Sequence, residues 1–242
     1  MKISAVVLSK RWEPNPLLLD SLSFADEIII VVDSHSSPPK STRKKIKLFC
    51  RELKNDFSAQ RNFALQKAKS DWVLFVDDDE YVGTELAREI QEAPDESKIS
   101  GYLIRRRDLV FHQPLLHGET GKTKILRLGR RTAGEFVRPV HERWTISGRV
   151  GELRSPLYHI KDDFVSQFIS RMDRYAGIDS KILTLEGKPF SWFRLLVYPP
   201  AKFKLNYLFR AGFLDGTAGL FLAYLMSVQS LTARVFQWEN KN

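Results

Sequence analysis

Short apolar runs alternate with polar stretches of helical spacing along the first eighty positions. Ile3 to Leu8 and Glu27 to Asp33 read as strands. Between them, Pro14 to Leu22 forms a helix entered through proline. Strand, helix and strand at this spacing make a βαβ unit with a right-handed crossover. The pattern repeats with Ile46 to Cys50 as a third strand, Ser58 to Lys69 as a helix carrying Phe63 and Ala64, and Trp72 to Val76 as a fourth strand. Alternation of this kind specifies an open α/β sheet, mostly parallel and with helices on both faces, whose ligands sit beyond the carboxyl ends of the strands. Leu86 to Ile90 then reads as a short helix, and Gly101 to Ile104 with Lys124 to Leu128 as antiparallel strands. The loop between those strands holds His112, His117 and Gly121; its spacing favours a flexible loop over metal ligation, and its position suits a lid.

The pattern changes after His159. Phe164 to Glu186 is helical, with Phe168, Met172 and Tyr175 at helical spacing. Phe190 to Phe213 mixes aromatics with Arg194, Lys202, Lys204 and Arg210, and Gly219 to Met226 is apolar throughout. That last run is about half of the roughly twenty residues a bilayer requires, so no membrane crossing is expected. The expected division is a domain over 1–160 and a C-terminal amphipathic helical region over 161–242. Two roles suit the tail: lying in the interface of an acidic membrane, or capping the sheet. The coincidence of cations and aromatics favours the membrane.

Composition narrows the picture. With 242 residues, 43% of them hydrophobic, the chain buries a proper core and is not disordered. Its 38 Lys and Arg against 29 Asp and Glu give a formal charge of +9, which favours an anionic partner. Nucleic acid, acidic lipid and sugar nucleotides all qualify. The single Cys50 excludes an intrachain disulfide and a multi-cysteine zinc site, and fits a reducing compartment. The opening Met1 to Leu8 reads as a first strand rather than a secretory leader.

The chemistry is concentrated where Trp72-Val73-Leu74-Phe75-Val76 runs into Asp77-Asp78-Asp79-Glu80. Four carboxylates at the end of a buried strand repel one another unless a cation neutralises them. On an extended tip Asp77 and Asp79 project to one side and can share a divalent ion with a phosphate ligand. The competing reading is an acidic helix start ahead of Thr84-Glu85-Leu86. Asp33 ends the second strand as Asp77 ends the fourth, so both face one crevice. The turn Asp33-Ser34-His35-Ser36-Ser37 suits a ribose or a pyrimidine edge, and equally an ordinary turn.

Taken together, several pieces resemble a family 2 glycosyltransferase of the GT-A fold. They are Val6-Val7-Leu8, Ala25 to Ser34, Phe57 to Leu65 with its Gln60-Arg61-Asn62, Ser70 to Glu80, Pro139-Val140-His141-Glu142, Gly148 to Gly151, Leu157-Tyr158-His159 and Arg210 to Gly216. Within that family the chain is similar to the small enzymes that add glucose to the lipopolysaccharide inner core. The resemblance implies that Asp33 contacts uracil or ribose, that Arg61, Asp71 and Asp78 help hold the nucleotide sugar, and that Asp79 meets Mn²⁺ or Mg²⁺ with Asp77 beside ribose or metal. It also places a catalytic acid at Glu142 as the base, oriented by His141, and brings His159 towards metal or diphosphate. Arg127, Arg130, Arg131 and Arg138 form a basic cluster, of which Arg130 and Arg138 are the candidates for diphosphate or acceptor phosphates. The chain departs from the family where Lys10-Arg11-Trp12-Glu13 replaces the usual Lys-Asn-Glu, leaving Glu13 for a nucleotide-side role, and where Ser37-Pro38-Pro39 replaces Ser-Thr-Asp.

The expected activity is inverting, metal-dependent transfer of a hexose from a nucleotide diphosphate sugar, UDP-glucose first, to a glycolipid on the cytoplasmic face of the inner membrane. Two alternatives compete. One is a basic nucleic-acid-binding protein, against which stand the acidic turn and the lack of a nucleic-acid motif. The other is a catalytically silent relative that binds only a membrane or a partner.

Overall fold

The computed structural model describes residues 1–41, 43–93, 98–121, 123–139 and 142–240, with the backbone alone at 174 and 175. The side chain of Tyr175, expected at helical spacing with Phe168 and Met172, therefore lies outside the described residues. The chain forms two compact units, Met1–Arg106 with Thr123–His159, and Arg107–Lys122 with Ile160–Asn242.

In the first unit the elements run β1 (Ile3–Ser9), α1 (Pro16–Ser21), β2 (Glu27–Val32), β3 (Ile46–Cys50), α2 (Phe57–Lys67), β4 (Trp72–Asp77), β5 (Glu80–Val82) and α3 (Thr84–Glu92). Then comes β6 (Ile99–Val110), which runs on into the second unit, where β7 (Gln113–Pro114) pairs with its far end. The chain returns as β8 (Lys124–Arg130), β9 (Gly134–Val137), β10 (Arg143–Ile146), β11 (Arg149–Glu152) and β12 (Leu157–Lys161). Strands β3, β2, β1 and β4 are parallel neighbours in that order, and β8 and β6 continue the sheet antiparallel. The mostly parallel α/β sheet expected from the alternation is present.

Period-two alternation explains the layers. Ile3, Ala5 and Val7 of β1, Ile28, Ile30 and Val32 of β2, and Trp72, Leu74 and Val76 of β4 pack on one face with Leu18, Leu86 and Ile90 of the helices. The intervening Val6, Ile29, Val31, Val73 and Phe75 pack on the other face against Ala64 and Leu65 of α2. Both helices have caps written in the sequence. The Asn15 side chain accepts from Leu17 N ahead of Pro16, and the Asp56 side chain accepts from Ala59 N. At the amino ends of the strands, buried Glu27 accepts from Ser4 Oγ and Lys69 N, each at 2.6 Å, and pairs with Lys47. Burial alone would raise its pKa; these three partners outweigh it and hold the carboxyl below its usual range.

The second unit contains α4 (Phe164–Leu185), α5 (Trp192–Lys204), a π-helical turn (Leu205–Phe209), a 3₁₀ turn (Gly212–Asp215) and α6 (Gly216–Glu239). The 3₁₀ turn is packed so closely on α6 that a Cβ on Gly219 would lie 1.9 Å from Gly212 O. The loop read as flexible belongs to this unit and is anchored in it. Val110 and Leu115 pack with Phe164, Ala218 and Leu222. Buried Asp215 accepts from Leu116 N (3.0 Å) and His117 N (2.8 Å) and pairs with His117 Nδ1 (2.7 Å), while Glu119 pairs with Lys202 (2.7 Å) and Arg210 (3.2 Å). Sequence spacing could not place a partner nearly a hundred residues downstream.

The length drawn from the last apolar run does not hold for the whole helix. By length and composition, Gly212–Glu239 is long and apolar enough to cross a membrane. Counting only the run Gly219 to Met226 missed this, because the uncharged Ser227, Gln229, Ser230 and Thr232 carry the helix on without adding a charge.

Candidate active site

The carboxyl ends of β1, β2 and β4 open into a cavity of about 430 Å³. Lining it are Asp33, Arg61, Asp77, Asp78, Asp79, Glu142 and His159, together with Ser9, Lys10 and Gln60. Residues up to 151 positions apart in the chain, Leu8 and His159, meet there, where ligands of open parallel sheets bind.

The four carboxylates of the acidic turn meet three different sets of partners. Asp77 takes hydrogen bonds from Arg61 Nη2 (2.8 Å) and from both terminal nitrogens of Arg127. Burial opposes its ionisation, but the two guanidinium groups prevail and hold its pKa far below the carboxylate range. Glu80 is buried beneath it, accepting from Asp77 N (3.0 Å) and from Arg127 Nη2 (3.1 Å); burial, reinforced by the Asp77 charge, raises its pKa. Asp78 faces Ser9 Oγ (3.3 Å), its pKa raised by partial burial and by neighbouring Asp79. Asp79 pairs with His159 Nε2 at 3.0 Å.

This corrects the shared-cation picture. Asp78 and Asp79 form a turn rather than an extended tip, so Asp77 and Asp79 are turned to different partners. Asp77 is turned to two arginines, Arg61 and Arg127, and away from Asp79. In this arrangement Asp79 and His159, paired at 3.0 Å, are the side chains that could hold a divalent ion together. No group of three or more His, Cys, Asp or Glu side chains is arranged to hold a metal among the described residues. Two protein ligands suit a hard ion that completes its shell with diphosphate oxygens.

Arg61 is the hinge of the site. It projects from α2 with its guanidinium 5.5 Å from the ring centres of both Phe75 and Phe136, and its side chain is nearly buried. Besides Asp77, it donates through Nε (3.0 Å) and Nη2 (2.9 Å) to Glu142 Oε1. One buried cation therefore joins the strand-end aspartate to the candidate base, which lies 81 residues beyond Arg61 in the sequence. Asp33 accepts from Leu53 N (2.9 Å) on the cavity wall.

Four candidates are not brought there. Asp71 precedes β4 and lies about 20 Å from its carboxyl end at the usual rise per strand residue. Arg130 pairs with Trp72 at that same far end, stacks over its ring at 4.8 Å and donates to Ile99 O. Arg138 is exposed, with φ 72°, and lines no described cavity. Glu13 is exposed and off the cavity wall, where Ser9 and Lys10 stand instead. His141 lies outside the described residues. Arg127 was read only as one of a basic cluster. An arginine set among Ile125, Leu126 and Leu128 in a strand must find a buried carboxylate, and that was the available signal.

Residues 18–145 match the family model described as glycosyl transferase family 2. The chain belongs to that family. It is a nucleotide-sugar glycosyltransferase with the GT-A fold. The transferase is 26% identical to the lipopolysaccharide core biosynthesis glycosyltransferase LpsC of Rhizobium meliloti, over 87% of this chain and 84% of that one. It is 23% identical to the uncharacterized glycosyltransferase RT0209 of Rickettsia typhi, over 80% and 72%. Among solved structures it is similar in fold to the mannosyltransferase PcManGT of Pyrobaculum calidifontis in complex with GDP-Man and Mn²⁺. That match has a TM-score of 0.51 and 14% identity, and covers 100% of this chain and 88% of that one.

Proposed function

We propose that the transferase moves a hexose, glucose first among candidates, from a nucleotide diphosphate sugar such as UDP-glucose to a glycolipid of the lipopolysaccharide inner-core type, with inversion at the anomeric carbon. The observation that carries this is the convergence of Asp33, Arg61, Asp79, Glu142 and His159 on one cavity. That cavity has five carboxylates and only two cationic side chains, so an anionic diphosphate is accepted there together with a divalent cation. Asp79 and His159 would hold Mn²⁺ or Mg²⁺, which when bound neutralises the charge developing on the diphosphate leaving group. Asp33 faces the nucleoside. Glu142 accepts the proton of the acceptor hydroxyl as its oxygen bonds to the anomeric carbon and the bond to the diphosphate breaks. One displacement inverts configuration. In the resting site Arg61 occupies Glu142, and it must share that carboxylate with the incoming hydroxyl.

Support for a membrane-bound acceptor comes from the second unit. Trp192, Phe193, Leu196 and Phe209 are 64%, 67%, 69% and 81% exposed, beside Arg194, Lys202, Lys204 and Arg210. Aromatic and cationic side chains presented together suit the interface of an anionic bilayer, and the reading places the transferase at the cytoplasmic face of the inner membrane.

The test is turnover of nucleotide diphosphate glucose on deacylated lipopolysaccharide core with Mn²⁺. Transfer is expected, with Glu142→Gln losing at least about 100-fold in turnover while UDP binding stays. Absence of transfer from any nucleotide sugar, with no UDP binding, would defeat the reading.

A further inference from the structure

Glu142 stands immediately ahead of β10, and β10 pairs with β9 alone among the described residues. The two strands form a hairpin apart from the ten-stranded sheet. A two-stranded hairpin is marginal by itself in water, so whatever fastens this one decides where the carboxylate at its edge comes to rest. Side-chain packing supplies part of the hold. Phe136 of β9 and Trp144 of β10 stack at 5.0 Å and lie against Phe75 of β4 at 4.8 and 5.2 Å. Apolar packing is non-directional, and it sets the separation of two elements better than their register.

Asn62 supplies the register. From the middle of α2 its Nδ2 donates to Phe136 O and its Oδ1 accepts from Phe136 N, both at 2.8 Å. Phe136 faces Trp144 across the hairpin, and its N–H and C=O point away from β10, where one primary amide takes both as a neighbouring strand would. The two bonds have to be made at once, so the amide fixes position along β9 as well as distance from it. A further tie runs from Phe57 N, at the head of α2, to Pro139 O at 2.9 Å. One step back on the same helix, Arg61 turns another way and holds Glu142 and Asp77 directly.

The two holds differ in what turnover asks of them. Arg61 donates through Nε and Nη2 to Glu142 Oε1, at 3.0 and 2.9 Å, and has to yield when that carboxylate takes a proton. Asn62 lines none of the described cavities and bonds to backbone alone, so it has nothing to release. We propose that Asn62 is a positioning residue for Glu142, joining the β9–β10 hairpin to α2 so that the base keeps its place while Arg61 lets go of it. This rests on the transferase reading above, with Glu142 as the base. A reacting group displaced by about 1 Å loses on the order of 100-fold in rate, whereas a donor held by residues of other strands still binds.

The test is steady-state transfer by the full chain from UDP-glucose with Mn²⁺ to deacylated lipopolysaccharide core, run for the parent, Asn62→Ala, Glu142→Gln and the double variant. Asn62→Ala should lower kcat by about tenfold or more, with the KM for UDP-glucose and the affinity for UDP kept within about twofold. In the Glu142→Gln background the same substitution should cost less than about twofold, because a residue acting through the base then has nothing left to position. Should Asn62→Ala not fold, Asn62→Asp, which keeps the bond from Phe136 N and gives up the one to Phe136 O, goes through the same cycle with the same expected non-additivity. An unchanged kcat, a loss of equal size in both backgrounds, or a loss confined to KM overturns the proposal and leaves the transferase reading standing. Absence of transfer by the parent from any nucleotide sugar defeats that reading itself, and full turnover by Glu142→Gln removes the base; either takes the proposal with it.

Discussion

Leu74 of the first unit is fully buried in the middle of the sheet, whereas Leu185 of the second is 88% exposed at the end of α4. The contrast is general. In the first unit the large apolar side chains fill two faces of one sheet, and buried polar groups such as Glu27, Glu80 and Arg127 are paired. In the second, α4, α5 and α6 leave Ile178, Ile182, Trp192 and Tyr224 at the surface. A sheet closed on both sides supplies rigidity, which a charged site needs because every misplaced charge there is expensive. Helices that present apolar side chains to solvent supply a surface, and surface of this kind is used in binding.

The comparison breaks or sharpens under four tests. Arg127→Met leaves buried Glu80 without its cation and Asp77 with Arg61 alone, and should cost about 3–5 kcal/mol of stability by urea unfolding; loss under about 1 kcal/mol would deny that the acidic turn depends on it. Leu74→Ala should cost about 2–5 kcal/mol, against a change within about 0.5 kcal/mol for Leu185→Ala, and equal costs would erase the distinction between the units. Glu27→Gln should cost about 1–3 kcal/mol at neutral pH. Because the folded pKa of Glu27 lies below the ordinary glutamate value of about 4.3, its stabilisation is complete above that value and is lost as pH falls through the lower folded pKa. The variant and the parent should therefore converge in acid, and a constant gap would remove the carboxylate as the cause. Last, Trp192→Ser with Phe193→Ser and Leu196→Ser should leave unfolding unchanged yet weaken sedimentation with anionic vesicles by about tenfold, roughly 1.4 kcal/mol. Undiminished vesicle binding would show that these side chains serve another purpose.

Much of the first unit was legible because its signals are local. Apolar runs of five or six residues mark strands buried on both faces, Asn15 and Asp56 cap the helices that follow them, and Asp33 and Asp77 end two parallel strands at the same edge. The second unit was legible as helices but not in its fastening. The partners of Asp215, on Leu116 and His117, lie nearly a hundred residues away, and nothing in a loop of histidines and glycines announces them.

Within the site, the residue types at the strand ends followed from chain order and from the family resemblance. Their partners did not. Residue order places carboxylates at the end of β4, since strand direction and length depend on neighbours in the chain. Which charge each carboxylate meets depends on packing across the sheet, and only the folded chain brings Arg61 from α2 and Arg127 from β8 onto Asp77 while leaving Asp79 to His159. Coulomb interaction in a buried site falls with distance in space and takes no account of separation along the chain.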